Sequence, residues 1–120
     1  MIRALATLAL LVFATVANAD SLTLAPQYDA AGTNPDGSKY TGTVAVQILS
    51  DTTFAIQWTI EGAAYKGFGM RRNDALAATY MIGGQPGLVI YHVDPKGGLD
   101  GLWAVRGEDG NGSERLTPRN

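Results

Sequence analysis

The sequence predicts an all-β protein, an antiparallel meander of seven or eight short strands forming a small barrel or strongly curved sheet, preceded by a signal peptide. Three observations carry that expectation. Apolar residues alternate with polar ones at a period of two through the middle of the chain, the mark of half-buried strands. The apolar segments are joined by turns of a few residues, and such short links force antiparallel neighbours because parallel strands need long crossovers. The 15 glycines are spread without a fixed period between segments rich in β-branched and aromatic residues, which favours many turns over disorder. A meander that closes on itself removes exposed strand edges. A two-sheet sandwich is the alternative arrangement.

The chain opens with an address. Met1-Ile2-Arg3 is a positive start, Ala4 to Val16 is an apolar run broken by Thr7 and Thr15, and Ala17-Asn18-Ala19 is a small-x-small cleavage pattern. Residues 1–19 are therefore read as a signal peptide and residues 20–120 as a single β domain, periplasmic or secreted, beginning at Asp20. The apolar run is shorter than the roughly 20 residues a spanning helix needs, so no membrane span is expected in the mature chain.

Each later element has its own signal. A first strand is expected in the SLTLAP segment from Ser21. Asn34-Pro35-Asp36-Gly37-Ser38 has the chemistry of a turn. From Tyr40 to Leu49 the even positions Tyr40, Gly42, Val44, Val46 and Ile48 form one face. Ser50-Asp51-Thr52 turns the chain, and Phe54, Ile56, Trp58 and Ile60 repeat the alternation. Glu61-Gly62 leads to a strand over Ala64 to Arg71, closed by Arg72-Asn73-Asp74. Ala75 to Ile82 has alanines that suit a helix, yet it is short, sits between turn signals and ends in Tyr80-Met81-Ile82, so it is read as a strand. Gly83 to Gly87 is a loop, Leu88 to Val93 an apolar strand, Asp94 to Gly98 its turn, and Leu99 to Arg106 the next strand. Gly107 to Gly112 is a polar loop before a short last strand, Ser113 to Thr117.

Charge and composition exclude several functions. Without Arg3, eight basic residues face eleven acidic ones, with no basic block, so no nucleic acid is expected as a partner. There is no cysteine, so the fold must be held by its core or by a partner. The single histidine, His92, has no cysteine or clustered carboxylate beside it, whereas zinc wants three or four ligands. No Gly-x-Ser-x-Gly element is present, and no metal, cofactor or catalytic residue is assigned; the chain is not expected to be an enzyme. Asp109 to Glu114 imitates the start of a calcium loop but has Glu114 where glycine belongs, and is read as a solvated loop.

Two motifs remain. An aromatic-x-glycine theme recurs at Tyr40-x-Gly42, Tyr65-x-Gly67-x-Gly69 and, as a variant, Leu99-x-Gly101-x-Trp103. It suits a coiling sheet in which rings of neighbouring strands lie over the glycines. Trp58, Tyr65, Tyr91 and Trp103 are the candidate ligand-binding residues: they either pack as core or line a barrel mouth that accepts a small apolar ligand.

Gly32-Thr33-Asn34-Pro35-Asp36-Gly37-Ser38-x-Tyr40-x-Gly42, with Trp58-x-Ile60, Tyr65-x-Gly67-x-Gly69, Tyr91-x-Val93, Leu99-x-Gly101-x-Trp103 and Glu114-x-Leu116-Thr117-Pro118, resembles a poorly characterised family of small exported bacterial proteins. Some members are labelled fibronectin-binding, so the resemblance implies adhesion to a partner protein and carries over no catalytic residues. Three functions follow. The first is a non-enzymatic exported binding or envelope-associated module acting through loops and an exposed sheet face. The second is a calycin-like carrier of a small apolar ligand, which requires an aromatic-lined cavity of about 300 Å³ or more. The third is a periplasmic inhibitor of a hydrolase such as a protease or lysozyme, using a loop or the N-terminal SLTLAPQ segment as a plug.

Overall fold

The computed structural model describes residues 23–119. The signal peptide expected over residues 1–19 lies outside the described residues. Eight strands follow one another: β1 (Gln27–Thr33), β2 (Lys39–Ile48), β3 (Thr53–Ile60), β4 (Ala63–Arg72), β5 (Ala75–Ile82), β6 (Gln85–Val93), β7 (Leu99–Val105) and β8 (Gly112–Pro118). Each pairs antiparallel with the next, and β8 pairs back onto β1, so the meander is a closed barrel and not a sandwich. Strands β2 to β8 fall within a few residues of the sequence expectation, β5 included. Alanine's helix propensity loses there because eight residues barely repay helix nucleation, while both edges of β5 find ladder partners in β4 and β6.

The first strand is a correction. Thr23 to Pro26 is not a strand, and β1 lies over Gln27–Thr33, immediately before the Asn34 to Ser38 turn. Its inward residues are Tyr28, Ala30 and Gly32, and two of the three are small. Ala30 sits opposite Gly42, and Gly32 lies under the Tyr40 ring. Apolar periodicity is faint where the core-facing residues are alanine and glycine.

Inward glycines on β1, β2, β4, β6, β7 and β8 make the barrel narrow. Tyr40 lies opposite Gly32, Phe54 opposite Gly69, Tyr80 opposite Gly87, Tyr91 opposite Gly101 and Trp103 opposite Gly112. In each of these pairs the ring occupies the space a Cβ would take; one built on Gly101 would be 2.5 Å from Tyr91 Cδ1. Gly67 is hemmed in by Trp58 and the Thr79 carbonyl. The aromatic-glycine theme is therefore a packing device, as the sequence suggests.

The interior has two halves. At one end Tyr28, Val44, Phe54, Leu76, Leu99 and Leu116 are almost completely buried. Leu24 and Ala25 pack against this core from the N-terminal segment, Pro26 accepts from Val46 N, and Ala25 N donates to the Tyr28 hydroxyl at 2.9 Å. The N-terminal segment thus covers its own barrel end. The turns β1–β2, β3–β4, β5–β6 and β7–β8 surround the opposite end.

The outer surface is divided as well. On β1 to β3 it presents Asp29, Thr43 and Gln57. On β4 to β7 it presents Phe68, Met70, Leu88, Ile90 and Leu102, all more than half exposed. Among the described residues no helix is long and apolar enough to cross a membrane.

Candidate functional site

The open end holds a cavity of about 210 Å³. Period-two alternation on successive strands brings its walls together: Tyr40 from β2, Trp58 and Ile60 from β3, Tyr65 from β4, Tyr80 and Ile82 from β5, Tyr91 from β6 and Trp103 from β7, with Asn34 and Glu61 supplied by turns. All four candidate ligand-binding residues, Trp58, Tyr65, Tyr91 and Trp103, line this one cavity. Trp58 and Tyr80 pack with ring centroids 5.2 Å apart, and Tyr40 meets Trp103 edge to face at 6.3 Å.

β8 supplies the residue that the sequence reading missed. Glu114, only 6% exposed, is the buried charged side chain of the barrel. Tyr40 Oη donates to Glu114 Oε1 at 2.8 Å. Tyr91 Oη donates to Oε2 at 2.5 Å, and Trp58 Nε1 shares its proton between Oε2 at 3.2 Å and the Tyr91 hydroxyl at 3.0 Å. Glu114 is therefore not a loop acid, and the calcium-like run Asp109 to Glu114 is split between solvent and core. A signal was present: Leu116 is a plain core residue, and period two puts Glu114 on the same face.

Burial pushes the Glu114 carboxyl above its ordinary value of 4.5, outweighing the three donors that favour the carboxylate. Burial followed by the Glu114 charge raises the phenols of Tyr40 and Tyr91 too, and brings Tyr80 up to about 12. These hydroxyls stay protonated at neutral pH, and those of Tyr40 and Tyr91 act as fixed donors to Glu114. Trp103 Nε1 is buried and lies toward the Tyr40 hydroxyl, which it helps to hold against the larger effect of burial.

The cavity falls short of the 300 Å³ expected of a carrier, because Tyr91 and the packed core beyond it fill the rest of the barrel. A dry cavity of about 150 Å³ accommodates benzene, so the space suits one ring with substituents. His92 points outward on β6, away from this site, opposite Ala75 and Asp100. The nearby carboxylates are engaged elsewhere: Asp94 and Asp100 both pair with Arg115. Among the described residues no group of His, Cys, Asp and Glu is placed to hold a metal ion.

No family profile matches the chain, and no curated protein is similar to it in sequence. Similar solved structures are designed barrels. A redesigned beta barrel, b11L5F_LGL, is 19% identical with a TM-score of 0.64, the match covering 81% of this chain and 92% of that one. A fluorescence-activating beta barrel of de novo design is 17% identical with a TM-score of 0.61 (80% and 94% covered). EF1p2_mFAP2b, solved bound to DFHBI, is 21% identical with a TM-score of 0.56 over the same shares. At these identities the likeness is one of fold: the chain is a small closed antiparallel barrel with a ring-lined cavity at one end.

Proposed function

We propose that this is an exported, non-enzymatic binding protein whose open barrel end holds a small, largely apolar ligand. The observation that carries the reading is the convergence of six aromatic side chains on one cavity of about 210 Å³. Aromatic walls with a few fixed polar groups are the usual make-up of a small-molecule site. The similar barrel bound to DFHBI supports the reading as an example of this architecture holding a small molecule. A non-enzymatic role is supported by the occupation of Glu114 in a network with Tyr40, Trp58 and Tyr91, and by the outward position of His92. Export is supported by the pattern of residues 1–19.

Both tryptophans of the chain line the cavity, so their fluorescence reports its occupancy directly. Titration with indole, phenol and naphthol should give a saturable change for at least one of them. Ile82→Trp fills the mouth and should abolish it. A flat response to all three would overturn the cavity as a site for neutral apolar ligands, and undiminished binding in the Ile82 variant would place the binding elsewhere on the barrel.

A second reading, a module that docks a partner through its sheet surface, is favoured by a separate observation. Outward on β4 to β7, the register aligns Phe68, Thr79, Leu88 and Ala104 in one row, and Met70, Ala77, Ile90 and Leu102 in the next. Neither row carries a charge.

A further inference from the structure

Glu114 is a buried carboxylate whose carboxyl is influenced by burial and by neutral donors, with no cation beside it. The ion pairs of the barrel lie elsewhere, joining Arg115 to Asp94 and Asp100, and Arg119 to Asp29. The partners of Glu114 are the neutral donors of Tyr40, Tyr91 and Trp58. Charges removed from water in proteins are as a rule paired, bound to a metal or neutralised by a shifted pKa, and among the described residues neither a cation nor a metal-holding group stands beside Glu114. The cavity onto which Glu114 opens is lined by no lysine, arginine or histidine, and the other charged residue on its wall, Glu61, is also acidic. The remaining walls are rings: Tyr40, Trp58, Tyr65, Tyr80, Tyr91 and Trp103. Aromatic faces carry negative potential and bind cations, and a cage of them is the common recognition device for alkylated ammonium groups.

We propose that the ligand of this cavity is a small organic ammonium, whose positive charge lies among the rings and supplies the counter-ion that Glu114 lacks. The inference rests on the cavity being the ligand site and adds the charge of what it holds. Sterically the cavity admits one compact group of about this size, since a dry cavity of about 150 Å³ already takes benzene. Electrostatically it rejects an anion of the same shape, because two glutamates and the ring faces would all oppose it. An uncharged isostere retains the apolar contact and loses the charge term.

Three probes of one shape separate the terms: choline, the alcohol in which tert-butyl replaces its trimethylammonium group, and tert-butylacetate. Calorimetry and tryptophan fluorescence on the folded mature protein should show choline binding at least about tenfold more tightly than the neutral alcohol, with no binding of the carboxylate. Glu114→Gln keeps an acceptor for Trp58 and should bring choline and the alcohol to within about threefold of each other. Equal affinities in the unaltered protein, binding of tert-butylacetate, no binding of choline, or a preference that survives Glu114→Gln would each overturn the proposal. The first comparison needs no variant, so misfolding of the Glu114→Gln protein does not remove the test. Saturable binding of indole or phenol alongside indifference to choline would leave the cavity a ligand site and discard only the cation.

Discussion

At the residue scale the barrel turns on a single acid. Most carboxylates that matter to stability have lowered values in the folded state, and two here behave so. Asp36 is held down by Ser38, and Asp94 by Arg115, so their contributions are present above the ordinary value of 3.8 and fade as the pH falls through the lower folded values. Glu114 has the opposite sign. Its folded value is raised, so between 4.5 and that raised value the folded state holds a proton the unfolded chain has lost. Its stabilising contribution is fully present below 4.5 and is lost as the pH rises through the folded value. Urea unfolding from about pH 4.5 to about pH 7.5 should therefore show the unaltered protein losing stability with rising pH relative to Glu114→Gln. Parallel pH profiles for the two proteins would show that Glu114 titrates normally. The sequence disclosed the four aromatic residues of the cavity wall because rings in alternating strands are conspicuous. It hid Glu114 because a glutamate at the start of a short strand, after a polar loop, is ordinarily solvated, and only its distance of two from Leu116 betrays the inward face.

At the scale of elements, strands with large apolar side chains on one face, such as β2 and β3, declared themselves, and β1 did not. Its inward face carries alanine and glycine, and Gly32 is bare to make room for the Tyr40 ring of the facing strand, which a one-dimensional pattern cannot display. The turns were more legible. Asn34 to Ser38 and Asp94 to Gly98 share one geometry: the first residue's N–H donates to the fifth residue's carbonyl and its own carbonyl accepts from the fourth, where Gly37 and Gly97 take φ of 93° and 87°. In both, an aspartate side chain accepts from backbone N–H groups of the turn: Asp36 from Ser38, Asp94 from Lys96 and Gly98. The segment before β1, expected to be a strand, instead caps the closed barrel end with Leu24 and Ala25. Full burial of a leucine contributes about 1.5–3 kcal/mol, so the half-buried Leu24 should contribute about 1 kcal/mol. Leu24→Ala should lower the urea midpoint accordingly, whereas Leu49→Ala, at a site 51% exposed, should leave it in place. Equal effects at the two positions would show that the N-terminal segment is not a cap.

At the scale of the whole molecule, the barrel is one-sided within and without. Half of the interior is solid and half is open, and the aromatic list alone could not say so, since rings serve equally well as core and as lining; the division follows from where Leu99, Leu116 and their neighbours stack. Outside, the apolar face over β4 to β7 has a shape as well as a composition. The small Ala77 and Thr79 of β5 lie between Phe68 and Met70 on one side and Leu88 and Ile90 on the other, which makes a shallow groove between two apolar ridges. A ridge of one molecule can enter the groove of another. Apolar patches on monomeric proteins rarely exceed a few hundred Å², and stable interfaces need about 800 Å² per partner, so pairing through this face alone should be weak and reversible. The net negative charge of the chain opposes it at long range, and salt screens that repulsion without touching the charge-free rows. Sedimentation at high protein concentration should accordingly show self-association that strengthens with added salt. Leu88→Lys should suppress it while shifting stability by no more than about 0.5 kcal/mol, as expected for a side chain 66% exposed on the outer face. Binding at the barrel mouth should be unaffected, because Leu88 and the cavity lie on opposite faces of the same sheet. Association that weakens with salt, or that persists in the lysine variant, would place the contact elsewhere on the barrel.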